Sequence, residues 1–206
     1  MALVAQLSNI DLFAGEEFGL QRVSLEIESG RRYHLLFDHR DQLNCLFGIL
    51  EGRYRPDRGV VTKAREYLCQ SDRLLLGEKV YRRHAGGYLA LESEPFTRLG
   101  GRRTAKRHLM EQIKAWHLRH FPIYKLHGED KLRFVLCALA FQESGLILIS
   151  ELHKRPLDPP MQELFRQMLT QSEAAVVVAS CADETSAEAE GWLKQLNYQG
   201  FDLRRG

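Results

Sequence analysis

At 206 residues the chain suits one domain, or one domain carrying a small subdomain. Its 44% hydrophobic and 27% charged residues describe a globular protein and exclude a disordered one. A formal charge of +2 gives no general electrostatic case for nucleic acid or a membrane surface as partner, and no apolar run reaches the roughly 18 residues that a membrane helix needs.

Met1 to Leu7 lacks the basic region and long apolar stretch of a signal peptide, so a cytosolic chain is expected. Arg22 to Ile27 is strand-like and Glu28-Ser29-Gly30 is a turn. Tyr33 to Phe37 fits a short buried strand. Leu43, Leu46, Phe47 and Leu50 follow helical spacing, and Gly52 can end that helix. Arg55-Pro56-Asp57-Arg58-Gly59 is a turn signal, with strand-like pieces after it at Val60-Val61 and Glu66 to Cys69. Val80 to Gly101, with two Gly-Gly pairs and Pro95, reads as loops around short elements. Thr104 to His120 reads as a helix with Leu109, Ile113 and Trp116 on one side. Asp130 to Phe141 reads as a second helix, apolar nearly all round and therefore buried. Leu146 to Ile149 and Ala174 to Ser180 read as buried strands. Between them Met161, Leu164, Phe165, Met168 and Leu169 form an amphipathic helix started by Pro159-Pro160. Strands apolar on both faces, alternating with helices, predict an α/β fold with a mostly parallel sheet.

The order of segments resembles the nucleotide-binding domain of ABC transporters. "VSLEIESGRRYHLLF" and "LFGILEGRYRPDRGVV" resemble the approach to the phosphate loop, its helix and the turn after it. "YLCQSDRLLLG" resembles the Q-loop segment, with Gln70 as its glutamine. "LHGEDKLRFVLCALA" resembles the signature and its helix, "LILISELHKRPLDP" the Walker B strand and D-loop, and "AVVVASCADE" the strand leading to the switch histidine. The resemblance runs from near Phe13 to the C-terminal end. It implies a P-loop-NTPase-like ABC ATPase fold over residues 1–206, with a small helical subdomain near 78–128.

The same resemblance implies that the chemistry is largely gone. A phosphate loop needs glycines that turn backbone N–H groups inward, a lysine for the β- and γ-phosphates, and a hydroxyl for Mg²⁺. The stretch from Phe37 to Cys45 contains no glycine. Leu43 stands at the lysine position and Asn44 at the hydroxyl position, while Asp38 and Asp41 place negative charge where polyphosphate would sit. Leu43 instead joins the apolar stripe of its helix. Ser150 stands at the metal-binding Walker B aspartate and Cys181 at the switch histidine. Glu151 matches the general base, and the plainer reading makes it a solvated or hydrogen-bonded residue. The signature becomes Leu126-His127-Gly128-Glu129-Asp130. Asp158 matches the D-loop aspartate, with one extra residue between it and Glu151. Phe13 could stack on adenine, although core packing is the commoner role of a lone Phe.

Three functions are open at this point. The first is a catalytically inactive subunit without cofactor, docking on a membrane permease, an intact ABC ATPase or a second copy of itself. The second is an enzyme, an atypical ABC transporter subunit with weak ATPase activity that binds ATP and Mg²⁺ through Phe13, Asp38, His39, Arg40, Asn44 and Cys45. The third is a free-standing scaffold or nucleic-acid module, with nucleic acid the less expected partner. On the first reading His127, Gly128, Glu129 and Asp130 meet a partner subunit, and the subunit sits in the cytoplasm or peripherally on its membrane. The basic cluster of Arg98, Arg102, Arg103, Lys106 and Arg107 is a second partner surface, with a solvated helix face as its plainer reading. His117 and His120 form a surface pair and no metal site is expected. Cys45, Cys69, Cys137 and Cys181 stand far apart and read as buried free thiols.

Overall fold

The computed structural model describes residues 2–14, 18–65, 67–77, 84–89, 100–141, 144–181 and 199–202. The chain forms two compact units, one of Met1–Ser71, Ser144–Lys154 and Leu169–Gly206, the other of Asp72–Glu143 and Arg155–Met168.

The first unit contains β1 (Leu3–Ala14), β2 (Phe18–Glu28), β3 (Arg32–Phe37), α1 (Arg40–Leu50), β4 (Arg58–Lys63), β5 (Cys69–Ser71), β6 (Leu146–Ile149), β7 (Ala175–Cys181) and β8 (Gln199–Asp202). A five-stranded parallel sheet has the order β5-β6-β7-β3-β8. This is the expected α/β fold. An antiparallel sheet of order β2-β1-β4 accompanies it, which the sequence reading did not anticipate. Helix α1 lies against β1, β2, β3 and β7. Leu43, Leu46, Phe47 and Leu50 enter one core with Ile10, Leu25, Ile27, Tyr33, Leu35 and Val177. Burial of such side chains supplies most of the driving force for this arrangement.

Two glycines close this unit by geometry. Gly52 takes φ +77° just beyond α1, as a helix C-terminus favours. Gly59 has φ +91°, and a Cβ there would lie 2.4 Å from the Asn9 carbonyl oxygen, so the second position of β4 admits no side chain. The C-terminal carbonyls of α1 are held from β4 and its sequel. Lys63 Nζ donates to the Ile49 and Leu50 carbonyls at 3.0 Å each, and the Tyr67 hydroxyl donates to Leu50 at 2.6 Å. A cation at a helix C-terminus also opposes the negative end of the dipole.

The second unit contains α2 (Asp72–Gly77), α3 (Ala85–Tyr88), α4 (Gly100–Gln112), α5 (Gly128–Phe141) and most of α6 (Pro159–Gln171). Residues Arg133 to Leu139 of α5 are buried, as its apolar sequence requires. Tyr88 packs on Phe134 with ring centroids 5.5 Å apart. Among the described residues no helix is long and apolar enough to cross a membrane.

Several expectations need correction. Thr104 to His120 is not one helix. Chain direction changes after Gln112, where Lys114 adopts φ +56° and the Ala115 N–H bonds the Met110 carbonyl at 2.6 Å. That is a left-handed helix stop, and Trp116–His120 follows as a 3-10 turn. His117 and His120 are both exposed on it. The strand expected over Glu66 to Cys69 runs from Cys69 to Ser71; Tyr67 instead reaches the end of α1, and Glu66 lies outside the described residues. Cys69 is partly buried, whereas Cys45, Cys137 and Cys181 are buried. Phe13 is 59% exposed rather than packed in the core. Arg98 and most of the stretch expected as loops from Val80 to Gly101 lie outside the described residues.

Burial of thiols makes the fold sensitive to alkali. Burial raises the Cys69 pKa to about 12 from 9.0, and raises those of Cys45 and Cys137 as well. A raised folded pKa means that the native state keeps its proton after the unfolded chain has lost it. The stabilisation is therefore complete below about pH 9 and, for Cys69, is lost as pH rises from about 9 to about 12. Lys63 works the other way, because burial lowers its pKa; the thiols outnumber it. The melting temperature should fall steadily above pH 9, and Cys69→Ser should make that fall shallower. Identical slopes for variant and wild type would remove Cys69 from the account.

Candidate functional site

In an open α/β sheet, ligands sit beyond the C-terminal ends of the parallel strands. Here those ends bring together Gln70 on β5, Ser150 and Glu151 after β6, Ser180 and Cys181 on β7, Asp38 and His39 between β3 and α1, and Arg40 at the start of α1. Gln70, Ser150, Glu151 and Cys181, expected from the resemblance to lie in one site, therefore share one sheet edge with the loop before α1.

The loop from β3 to α1 has no glycine nest. His39 takes an extended conformation (φ −128°, ψ 144°) as the N-cap of α1. Its N–H donates to Gln42 Oε1 at 3.4 Å, and its carbonyl accepts from the Gln42 N–H at 3.1 Å. Asp38 is half-buried, and Arg40 and Asp41 are exposed in the first turn. Leu43 is 3% exposed and belongs to the core. Cys45 is buried beside it on the same helix, and Asn44 is half-buried. Ser150 and Cys181 are buried, and Gln70 is partly buried.

Two polar bridges span this edge. The Arg40 guanidinium donates to Glu151 Oε1, forming an ion pair in which the Glu151 side chain is 15% exposed. A second chain runs from His34 Nε2 to Ser180 Oγ at 3.2 Å, and from Ser180 Oγ to His153 Nε2 at 3.3 Å. Ser180 is buried in β7, which lies between β6 and β3. Both bridges thus join the segment after β6 to β3 or its helix across the intervening strand. The sequence reading missed His34, His153 and Ser180. The signal was available in strand parity: Tyr33, Leu35 and Phe37 fill the core, so His34 faces the other side of the sheet.

The signature-like residues lie in the second unit. Leu126 is buried, while His127, Gly128 and Glu129 are exposed where α5 begins, with Gly128 at φ +53°. Glu129 and Asp130 sit in the first turn, where carboxylates favour the helix dipole. Arg133, also missed from the sequence, gathers the acids. Its Nη2 lies 2.7 Å from Glu129 Oε2 and 3.2 Å from Asp158 Oδ2, and its Nη1 is 3.5 Å from Asp130 Oδ1. Burial opposes the charge on Arg133, but the bonds from Glu129 and Asp158 outweigh it and hold the pKa above the usual arginine value. The spacings of three and four residues from Asp130 and Glu129 are those that meet on a helix. Asp130 also lies 3.5 Å from His117 Nε2. Asp158 caps α6, accepting from the Met161 N–H at 2.9 Å, with Pro159 as the first helical residue.

Of the basic cluster, Arg107 bonds Glu111 at 2.8 Å and lies 5.3 Å above the Trp116 ring, whose other cation is Arg119 at 4.3 Å. Lys106 is half-buried. Arg102 and Arg103 lie on the backbone of α4. Phe13 is exposed at the end of β1, its N–H bonded to Asp57 Oδ2 at 2.8 Å.

Residues 37–45, where the resemblance puts a phosphate loop, carry a side chain at every position; Leu43 among them belongs to the core, and Glu151 is engaged by a guanidinium.

No family model matches the sequence. The fold is similar to a nucleotide-free ATP-binding cassette from an ABC transporter, with a TM-score of 0.65, 14% identity, and coverage of 98% of this chain and 88% of that one. It is similar to CbiO1 from Clostridium perfringens, part of the ABC transporter complex cbiONQ, with a TM-score of 0.57, 14% identity, and coverage of 88% and 79%. It is also similar to a metal-chelate type ABC transporter in an inward-facing conformation, with a TM-score of 0.60, 17% identity, and coverage of 86% and 73%. At these identities the likeness establishes the ABC ATPase fold.

Proposed function

We propose that this chain is a catalytically inactive ABC ATPase-like subunit that works by docking within a transport complex. The observation that carries this reading is Leu43, buried in the core where the resemblance puts the phosphate-binding lysine. Converting that position to a phosphate site would require taking the second turn of α1 out of its core. Asn44, Ser150 and Cys181 remove the Mg²⁺ hydroxyl, the metal carboxylate and the γ-phosphate contact in the same way. The partners proposed are a membrane permease, an intact ABC ATPase, or both, because the similar structures are parts of ABC transporters.

Isothermal calorimetry with ATP and Mg²⁺ at millimolar concentration tests the reading. No saturable heat is expected, and a one-to-one isotherm would overturn it. Phe13 favours a second reading, weak nucleotide binding without turnover, because an aromatic 59% exposed at the end of β1 is free to stack on a base. An isotherm that disappears in Phe13→Ala would select that reading.

A further inference from the structure

We infer that the Arg40–Glu151 ion pair is a built-in clasp, holding the segment after β6 against the start of α1 in the arrangement that a bound ligand would otherwise have to impose. The inference deepens the reading of the chain as a subunit without nucleotide.

The topology gives the pair its consequence. Strands β6 and β3 are not neighbours, because β7 lies between them. A bond from the segment after β6 to the helix after β3 therefore passes over the end of β7. The ladder hydrogen bonds reach β6 and β3 only through β7 and do not themselves join these two segments. The His34–Ser180–His153 chain makes the same crossing from β3 through β7 to the segment after β6. Two separate crossings at one edge pin Glu151 and His153, which stand on either side of Leu152, and Leu152 itself is buried. The turn thus has an anchor on each side and a hydrophobic peg between them.

The placement of charge also points to a clasp. Arg40 opens α1, where the helix dipole disfavours a cation. An arginine there is a local misfit unless an anion meets it, and Glu151 is that anion. Glu151 in turn is only 15% exposed, so its carboxylate gives up water and is compensated by the guanidinium. Each member answers a cost created by the position of the other. The basic side chain occupies the helix start from which an anionic ligand would be bound, and the acid is withdrawn from acting on any water or metal.

Hydrogen–deuterium exchange on the intact chain tests the clasp, with Arg40→Ala, Glu151→Gln, Arg40→Glu and the double exchange Arg40→Glu with Glu151→Arg. Arg40 is half exposed, so its variants should fold. Each single variant should speed exchange roughly ten-fold both in the peptide covering Ser150 to Lys154 and in that covering the start of α1. The double exchange should bring both peptides back to within about three-fold of wild type. Singles that leave either peptide at its wild-type rate, or a double exchange that recovers nothing, would overturn the clasp. Calorimetry of the wild-type sample reads the proposed function separately. ATP binding with coupled exchange would sink that function and leave the clasp standing, whereas no ATP binding with uncoupled exchange would sink the clasp alone.

Discussion

Leu43→Lys should melt well below the wild-type chain and should hydrolyse no ATP. The leucine is 3% exposed and packs within the core that joins α1 to both sheets. Losing its burial forfeits about 1.5–3 kcal/mol. The ammonium must then either reach solvent along a helix face that points inward or surrender its hydration. A total loss of about 2–4 kcal/mol is expected, and in a chain of this size each kcal/mol lowers the melting temperature by about 2–4 °C. The variant restores the residue type of a phosphate loop but none of its backbone, since the segment from Asp38 to Gln42 is an N-cap and first turn bearing two aspartates. Thermal melting and phosphate release, measured on one preparation, decide the matter. Turnover at an unchanged melting temperature would mean that the lysine points out of the core, and the assignment of α1 would fall with it.

The contrast between that helix and the first strand shows what the sequence makes legible. Helix α1 declares itself because Leu43, Leu46, Phe47 and Leu50 repeat at helical spacing and all four are buried. Strand β1 hides because its period breaks. Its register on β2 shifts between Leu7 and Ile10, where Asn9 takes φ +52°, and again between Ile10 and Leu12, where Arg22 of β2 takes φ +50°. A bulge of this kind inverts the inside-outside alternation on which a strand is recognised. With β1 unread, the strand-like stretches at Arg22 to Ile27 and Val60-Val61 have no central partner, and the antiparallel sheet they form with it is not recognised. Strand β8 carries only four residues, one of them glycine, and owes its place to backbone pairing with β3. Helix α5 was visible as a buried apolar stretch, but the end of α4 was not, because a left-handed stop at a lysine has no glycine to announce it.

The site divides along the same line. Gln70, Ser150, Glu151 and Cys181 lie at or near strand ends, in the order that the resemblance implies, but the partners that side chains at this edge make were not legible. Arg40, expected only as a contact in case nucleotide binds, is the cation that engages Glu151. Asp158, expected as a relic of a D-loop, caps α6 and meets Arg133. A bond across more than a hundred residues leaves no local pattern, whereas a cap or an i,i+4 pair does. Arg133 was therefore recoverable from Glu129 by spacing, and the Arg40–Glu151 pair was not.

Arg133→Met should be the more damaging change in the second unit, despite a methionine's good fit to a largely apolar helix. The Arg133 side chain is 11% exposed and stands among Glu129, Asp130 and Asp158. Removing the guanidinium leaves three carboxylates converging on an uncharged thioether. Glu129 is 68% exposed and can swing into water, so its share of the loss is small. Asp158 cannot do so without giving up the cap on α6, because its other oxygen holds the Met161 N–H. The expected loss is about 2–3 kcal/mol at neutral pH, most of it from leaving Asp158, held in place by its cap on α6, without its cation. Salt screens the repulsion among the acids, so the gap between variant and wild type should narrow as ionic strength rises. Denaturant melts of both proteins in low and high salt measure the gap. A gap constant with salt would show that the loss comes from packing of the arginine stem, and the ionic reading of this cluster would have to be abandoned.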